Sequence, residues 1–293
     1  MVDLVEITGD GLSAAIKPFG AELTHLRDHQ GRELMTDADP KFWTGHAPLL
    51  FPIVGRLNGD VLRLDGAEYP MKQHGFARRH DFTLVDHGAA HARFRLEDDA
   101  ETRAVYPFAF TLDATYTIEA ATLIVAIAIT NRGDTQMPAS FGFHPGFAWP
   151  LPYGAAREDH RIVFAADEPD TLIELKDGLT TPGERASPLA GRVLPLTDVL
   201  FDDDALIWNG VASRSVTYGA PNHPHLKVAF PDTDKLGIWT KPGGAAFLCI
   251  EPWHGIADPQ GYTGDFRDKP GVFEIAPGGT KHIEMRITLH AAE

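Results

Sequence analysis

Two strand-like stretches each lead to one titratable side chain followed by proline, and these side chains carry the clearest potential for chemistry. In FLCIEPWHG, four apolar residues precede Glu251 and Pro252, and in FGFHPGF an aromatic run precedes His144 and Pro145. Because proline removes a backbone donor, we expect each strand to stop there and to present its polar side chain at an edge. Glutamate and histidine can work as general base and general acid, since imidazole exchanges protons near neutral pH.

A second histidine, two arginines and an aspartate complete the set of candidate residues. The segment QHGFAR places His74 and Arg78 among glycine and phenylalanine, Arg56 follows the buried-looking strand FPIVG, and Asp204 ends an acidic run before the strand ALIW. Each has a structural alternative: Glu251 as a paired or capping carboxylate, Arg56 in a salt bridge to a loop carboxylate, His74 as a structural imidazole, and the acidic run as a solvated turn. Sequence spacing leaves open whether the fold brings them together.

Metal and cofactor sites are not indicated. Cys249 is the only cysteine, so an internal disulfide and a site built on several thiolates are excluded, and its apolar surroundings predict a buried, inert thiol. The pair His223 and His225 lies in a proline-rich turn without a carboxylate at ligand spacing, which is a weak zinc signal. The chain has no glycine-rich phosphate loop, dinucleotide fingerprint or nucleophile elbow. We therefore expect no metal and no cofactor.

The elements that must position these residues are strands, because the dominant period of the sequence is two. Apolar residues at 110, 112, 114, 116 and 118 alternate with polar ones, as in a strand with one buried face. Asp65 and Gly66 form a two-residue turn signal between two short extended segments, which predicts a tight hairpin. No segment has the pattern of an amphipathic helix of three turns. The sequence therefore predicts an all-β protein, a large antiparallel β-sandwich, as one domain over residues 1–293.

Composition narrows the partners and the compartment. The 293 residues include 41 acidic and 26 basic ones, a formal net charge of -15, so attraction to nucleic acid or to an anionic membrane is not expected. No basic N-terminal region precedes an apolar stretch, and no apolar run is long enough to span a bilayer. We expect a cytoplasmic protein, a monomer or homodimer, with a small neutral or weakly charged substrate.

Four ordered motifs together carry a family resemblance that covers nearly the whole chain. FPIVGRL at 51–57, QHGFAR at 73–78, FHPGF at 143–147 and IEPW at 250–253 resemble the aldose 1-epimerase (galactose mutarotase) superfamily, and its LacX-like branch in particular. The resemblance implies the galactose-mutarotase type of β-sandwich, sometimes called a supersandwich. It also implies a sugar substrate, and an isomerase that interconverts α and β anomers without a covalent intermediate or a metal.

Position by position, the resemblance implies roles for the candidate residues. Glu251 is the implied general base and His144 the implied general acid, with His74 and Arg56 holding sugar oxygens. Arg78 and Asp204 are further candidates for substrate contacts, and Phe76, Phe143, Trp149 and Trp253 are candidates for the apolar surface against the sugar ring.

Two alternatives accompany this interpretation. Arginines at 56, 78 and 79 make a hexose-6-phosphate mutarotase possible, although the net charge of -15 opposes a phosphorylated substrate. A noncatalytic sugar-binding protein on the same fold is the other alternative, because a fold does not determine a function. The presence of both His144 and Glu251 favours catalysis, since a binding protein needs no matched acid and base.

Overall fold

Alternation of apolar and polar residues makes most of the chain extended. The structure, a computed structural model, describes residues 4–292. The strands of this part are β1 (Val5–Thr8), β2 (Leu12–Lys17), β3 (Glu22–Asp28), β4 (Leu49–Leu50), β5 (Val61–Leu64), β6 (Ala67–Pro70), β7 (Thr83–His87), β8 (His91–Glu97), β9 (Phe110–Glu119), β10 (Thr122–Asn131), β11 (Met137–Ala139), β12 (Phe141–Phe143), β13 (Gly146–Ala148), β14 (Arg161–Phe164), β15 (Thr171–Lys176), β16 (Leu179–Ala186), β17 (Val193–Pro195), β18 (Leu206–Asn209), β19 (Ser215–Gly219), β20 (His225–Ala229), β21 (Lys235–Trp239), β22 (Phe247–His254), β23 (Phe273–Ile275) and β24 (Thr280–His290).

Helical structure in the described residues is limited to short pieces. The single α-helix, α1 (Ala100–Val105), begins after Asp99, whose carboxylate accepts from the Thr102 N–H while the Thr102 hydroxyl accepts from the Asp99 N–H. Such a capping box satisfies two donors that the first turn leaves free. The remaining pieces are 3₁₀ turns at Asn58–Asp60, Ala77–Arg79, Arg157–Asp159, Asp198–Phe201 and Phe266–Asp268.

Two large sheets dominate the architecture. One has nine strands in the order β17-β14-β19-β20-β24-β10-β9-β8-β7. The other has eight, in the order β16-β15-β18-β21-β22-β12-β4, with β13 also paired to β22. Every pairing between named strands is antiparallel, and the predicted hairpin is present as β5 and β6 on either side of Asp65 and Gly66. The predicted large antiparallel β-sandwich is therefore confirmed.

The core lies between these sheets because both contribute one apolar face to it. In β10 the alternate residues Leu123, Val125, Ile127 and Ile129 are buried in the same cluster as Leu248 and Ile250 of β22. Phe164 of β14 contacts Trp208 of β18 across the layers, with ring centroids 5.1 Å apart. In the described part of the chain no helix is long and apolar enough to cross a membrane.

The eight-stranded sheet differs from the nine-stranded one because β22 is buried along both faces. Leu248 and Ile250 enter the main core, whereas Cys249, Glu251 and Trp253 point to the opposite face, as the period of two requires. Small apolar clusters cover that opposite face. The sheet can therefore support a pocket on the side away from the sandwich core.

Candidate active site

Glu251 lies in the middle of β22, and the strand does not end at Pro252. Strand β22 continues to His254, with Leu236 of β21 opposite Pro252, so the prediction of a strand end at this proline is wrong. The Ile250 N–H donates to the carbonyl of Pro145, and the nitrogen two residues later points the same way. The missing donor of Pro252 therefore faces Phe143 at the end of β12 and not β21, so the pairing of β22 with β21 is not interrupted.

His144 sits in that interruption, directly across from Glu251. Strand β12 ends at Phe143 as predicted, and β13 begins at Gly146. Both strands pair with β22, and the register before the interruption is the same as the register after it, which places His144 opposite Glu251. The side chains meet on one face, with His144 Nε2 3.1 Å from Glu251 Oε2. Antiparallel pairing thus brings together two residues more than a hundred positions apart.

His74 reaches the same place from a strained loop. Its backbone has a φ of 65°, and the next residue, Gly75, has no room for a side chain because a Cβ there would lie 2.1 Å from the Phe51 carbonyl oxygen. The Gly55 N–H donates to His74 Nδ1 at 3.2 Å, so the ring proton of the neutral imidazole is on Nε2. The His74 and His144 rings are perpendicular, with centroids 5.7 Å apart.

A cavity of about 860 Å³ opens above these side chains. Five of the six predicted site residues line it, namely His74, Arg78, His144, Asp204 and Glu251. Its floor is the face of the eight-stranded sheet that is turned away from the main core. The structure thus brings most of the predicted constellation into one concave site.

Arg56 is the predicted residue that does not line this cavity. Its Nε and Nη2 donate to the two carboxylate oxygens of Asp60 at 2.8 and 3.0 Å, and its Nη1 donates to the carbonyl of Asp177. The Arg56 guanidinium thus uses its donors for hydrogen bonds within the protein. This arrangement matches the alternative of a salt bridge to a loop carboxylate, and we propose no sugar contact for Arg56.

Arg78 has the opposite character, a half-buried guanidinium that lines the cavity and acts electrostatically on Glu251 and His144. Among residues 4–292 it has no hydrogen-bonded or ion-paired partner, and burial lowers its pKa. The Asp204 carboxylate also faces Glu251, from an exposed position with a backbone φ of 76°. A positive and a negative group that both line the cavity therefore act electrostatically on Glu251.

Burial shifts the pKa values of Glu251 and His144 in opposite directions. It raises the pKa of Glu251 well above 4.5, and the Asp204 carboxylate adds to this rise whereas Arg78 opposes it. Burial, followed by the Arg78 charge, lowers the pKa of His144 to about 3. Both shifts disfavour the carboxylate–imidazolium form relative to a neutral pair. The neutral pair holds one transferable proton, between His144 Nε2 and Glu251 Oε2, which lie 3.1 Å apart.

The aromatic walls of the cavity come from residues that the sequence analysis did not assign to the site. Trp43 lies against His144 with centroids 5.1 Å apart, and Trp239 meets Trp43 edge-on at 6.0 Å. Of the predicted apolar contacts, Trp253 lines the cavity. The other three, Phe76, Phe143 and Trp149, are packed into the main core instead, so this part of the prediction is wrong.

Two signals could have identified these tryptophans. Trp43 is a large aromatic residue within a polar loop, and Trp239 lies two residues after Gly237, which is opposite Glu251 in the register. The second signal requires the strand pairing to be known in advance. The three misassigned aromatic residues were chosen by sequence proximity to the motifs, which does not determine the face of a sheet.

One group of side chains in the described residues has ligand atoms close enough to hold a metal ion. The ligand atoms of His144, Cys249 and Glu251 all lie within 4.8 Å of one another. Burial raises the pKa of the Cys249 thiol well above its usual range, as it does that of Glu251, so a cation would have to displace protons from two of the three ligands. The donor set fits proton transfer better than metal binding.

Comparison with known proteins identifies the family. The sequence profile of the aldose 1-epimerase family matches residues 3–262. The plasmid-encoded protein LacX of Lactococcus lactis subsp. lactis is 30% identical over 301 aligned positions, which cover 97% of this chain and 99% of LacX.

Solved structures agree with the sequence match. A galactose mutarotase related enzyme from Lactobacillus acidophilus superimposes with a TM-score of 0.92 at 33% identity, over 99% of this chain and 98% of that one. A galactose mutarotase-like protein from Lactobacillus casei has a TM-score of 0.91 at 30% identity, over 98% of this chain and all of the other. The chain described here belongs to the aldose 1-epimerase family.

Proposed function

We propose that this protein is an aldose 1-epimerase, a mutarotase that interconverts the α and β anomers of a free aldose by opening and reclosing the ring. The observation that carries the proposal is the placement of His144 opposite Glu251, 3.1 Å apart, at the wall of an open cavity. An acid and a base so close can serve two oxygens on one carbon, as a hemiacetal requires. The family membership and the names of the structural relatives support the same reaction.

In the proposed reaction, Glu251 as carboxylate takes the proton of the anomeric hydroxyl. The bond between the anomeric carbon and the ring oxygen breaks, its electron pair stays on the ring oxygen, and that oxygen takes the proton of the His144 imidazolium. The product is the open-chain aldehyde beside a neutral pair. Rotation about the bond between the first two carbons presents the other carbonyl face, and the reverse steps return both protons, so nothing is consumed.

Burial helps the proton transfers of this mechanism in a specific way. A raised pKa makes the Glu251 carboxylate a stronger base, and a lowered pKa makes the His144 imidazolium a stronger acid. Ring opening turns the charged pair into the neutral pair that burial favours. Burial also makes the charged pair less populated before ring opening. The Arg78 cation partly offsets this effect because it stabilises the Glu251 carboxylate.

The neighbouring side chains suit the hydroxyl groups of the sugar. His74, with its ring proton on Nε2, can donate to one oxygen, and the guanidinium of Arg78 can donate to others. Trp43 and Trp239 offer ring faces and edges to the apolar side of a pyranose.

The charges of the cavity favour an unphosphorylated aldose. Its lining contains three cations, Arg78, Arg185 and Lys241, and five acids, Glu174, Asp202, Asp203, Asp204 and Glu251. A phosphate dianion would meet net repulsion there even with Glu251 protonated.

The proposal is tested by polarimetry of freshly dissolved α-glucose and α-galactose with the wild-type protein and Glu251→Gln. We expect the wild type to accelerate the change in rotation over buffer and the variant to lose the acceleration. Absence of acceleration for every aldose tried, with glucose 6-phosphate included, would overturn the proposal. If calorimetry then still detected sugar binding, the noncatalytic alternative would be favoured.

A further inference from the structure

A second pocket, of about 290 Å³, lies on the other large sheet. Its lining comes from β14, β19 and β20 and from the loop between β19 and β20. In these strands Ile162, Tyr218 and Leu226 are buried in the main core, so the residues that alternate with them face outward. The pocket is therefore on the opposite side of the sandwich from the cavity at Glu251.

The floor of this pocket has a gap with a basic side chain on each side. Gly219 of β19 is opposite Arg161 of β14. On its other side Gly219 lies against His225 of β20, since a Cβ on Gly219 would be 2.7 Å from the His225 Cβ. Gly219 adds no side chain, so the outward face is open between Arg161 and His225 over two strand spacings, or about 10 Å. The two basic side chains can therefore contact one small ligand between them.

The charges around this pocket differ from those of the chain as a whole. The sequence has 41 acidic and 26 basic residues, yet no carboxylate lines the pocket. Arg161, and Lys227 two residues after His225 on the same outward face, have no hydrogen-bonded or ion-paired partner among residues 4–292. Repulsion from acidic groups elsewhere on the surface is screened beyond about 8 Å at physiological ionic strength, so the nearby cations decide which ligands are attracted. The pocket therefore favours an anion.

The two histidines of the pocket use one ring nitrogen each for the backbone. His223 Nδ1 donates to the carbonyl of Pro221 at 2.8 Å, and His225 Nδ1 donates to the carbonyl of His223 at 3.4 Å. A neutral imidazole has one ring proton, so Nε2 of each ring is an acceptor, and neither Nε2 has a hydrogen-bonded partner in the described part of the chain. Acceptors beside a guanidinium suit an anion that still has a proton to donate. A phosphoryl group is such an anion, because its second pKa is about 6.

Zinc is the other ligand that the spacing of His223 and His225 suggests. Two histidines are fewer than the three or four protein ligands that zinc sites use. The one group in residues 4–292 with three ligand atoms close enough for a metal contains Glu251 and neither of these histidines. Arg161 also adds positive charge to the pocket. An anion therefore fits these side chains better than a metal ion does.

We propose that this pocket binds the phosphoryl group of a small phosphate ester, with free phosphate as the simplest such ligand. Arg161 donates to two phosphoryl oxygens, as a planar guanidinium can. His223 and His225 accept the phosphoryl proton at Nε2. The volume of about 290 Å³ is at the lower end for small-molecule sites, which leaves room for a short carbon chain beside the phosphoryl group. The site does not depend on the proposed mutarotase function.

The proposal is tested by calorimetry with inorganic phosphate, glycerol 3-phosphate and sulfate at constant ionic strength and neutral pH. Glycerol 3-phosphate has no anomeric centre, so it is not a substrate for mutarotation. We expect saturable binding of both phosphate compounds, with a Kd for sulfate about tenfold higher because sulfate has no proton to donate. Absence of saturable binding of both phosphate compounds would overturn the proposal. Equal affinity for sulfate would also overturn it, since charge alone would then account for binding.

A pair of arginine variants locates the bound anion. Arg161→Gln removes the guanidinium of the pocket and should raise the Kd for phosphate by about tenfold. The control is Arg192→Gln, because Arg192 precedes β17 beside β14 and donates to the carbonyl of Ala165 but does not line the pocket. It removes the same charge from the same region and should leave Kd nearly unchanged. Equal effects of the two variants would show attraction by overall charge and would contradict a built site.

Two further variants separate this site from the others. His223→Gln should weaken phosphate binding, and binding of Zn²⁺ in place of phosphate, lost in the same variant, would assign the pocket to a metal and overturn the proposal. Glu251→Gln should leave the Kd for phosphate unchanged, just as Arg161→Gln should leave mutarotation unchanged. Phosphate binding that depends on Glu251 and not on Arg161 would place the anion in the large cavity and overturn the proposal. Failure of mutarotation would leave these binding measurements unaffected.

Discussion

Two buried acid–base pairs within residues 4–292 have the same separation and different surroundings. His144 and Glu251 approach to 3.1 Å, and so do Lys269 and Asp258. All four residues are buried. The first pair lines the cavity, whereas neither member of the second pair does.

The second pair is embedded in backbone hydrogen bonds. Asp258 Oδ2 accepts from the Asn58 N–H, and the Asp258 N–H donates to the carbonyl of Arg56. Burial lowers the pKa of Lys269, but the charge of the Asp258 carboxylate opposes that shift. This pair therefore ties the chain around residues 56–58 to the segment at Lys269.

The comparison teaches that burial of an acid beside a base does not by itself indicate catalysis. Lysine starts far above neutral pH and retains its proton near an aspartate, which leaves a fixed ion pair. Histidine and glutamate start within about two pH units of each other, so a single proton can move between them. Access to the cavity then turns proton exchange into a possible reaction.

The largest expected effect comes from replacing the base. Glu251→Gln removes the proton acceptor and should lower kcat for mutarotation by ~10³-fold, within the range of general acid–base catalysis. Because the amide keeps the shape of the side chain and needs no charge, the free energy of unfolding should fall by no more than about 1 kcal/mol. Polarimetry and urea denaturation measure the two quantities. A stability loss as large as the one expected for Lys269 would contradict the distinction between the pairs.

The opposite profile is expected for the second pair. Lys269→Met leaves the Asp258 carboxylate buried without its cation and should lower the free energy of unfolding by about 3 kcal/mol. The folded fraction should retain kcat, because neither residue lines the cavity. Urea denaturation checks the first statement and polarimetry at low temperature the second.

A double variant and a surface control complete this test. Asp258→Asn combined with Lys269→Met should recover part of the lost stability, since no unpaired charge remains. Arg286→Ala, which removes a surface pair with Glu284, should leave the free energy of unfolding nearly unchanged. If Lys269→Met had the same free energy of unfolding as the wild type, the buried pair would not stabilise the fold.

A smaller effect is expected at Arg78. Arg78→Gln removes the cation that faces Glu251 and a donor for sugar oxygens, and should raise KM by about tenfold with a smaller fall in kcat. Initial rates over a range of sugar concentration separate the two parameters. The control is Arg132→Gln, an exposed arginine outside the cavity, which should leave both unchanged. If Arg78→Gln had the same kcat and KM as the wild type, Arg78 would have no role in substrate binding.

The smallest effect is the pH dependence of stability. The pKa of Glu251 is higher in the folded protein than in the unfolded chain, so the unfolded chain releases the Glu251 proton at lower pH. The contribution of Glu251 to stability therefore declines as pH rises above 4.5. The pKa of His144 is lower in the folded protein than in the unfolded chain, so the unfolded chain takes up the His144 proton at higher pH. The contribution of His144 to stability therefore declines as pH falls from 6.5 toward 3.

Each variant should remove one of these slopes. Relative to wild type, Glu251→Gln should gain stability as pH rises above 4.5, and His144→Gln should gain stability as pH falls from 6.5 toward 3, by at most about 1.4 kcal/mol per pH unit. Urea denaturation at stepped pH measures both. Parallel pH profiles for wild type and either variant would contradict the assigned shift.

Local pattern was sufficient to predict the class of the fold and to single out a candidate acid and a candidate base. The alternation in β9, the turn at Asp65 and Gly66, and the end of β12 before His144 all depend on neighbouring residues, and the structure has each of them. The prediction at Pro252 was wrong because a proline interrupts pairing only with the strand toward which its nitrogen points. That direction is set by the pairing partner, not by the strand itself.

What the sequence determined by itself was therefore the set of extended segments, the four motifs and the candidate acid and base, since backbone preference and side-chain chemistry are properties of each residue. Only the tertiary structure decided that β12 and β13 continue one register along β22, which joins His144 to Glu251. The salt bridge between Arg56 and Asp60 and the position of Trp43 beside His144 are also results of tertiary structure. These outcomes depend on pairings between distant segments, which form through the burial of whole sheet faces and are not encoded in any short stretch of residues.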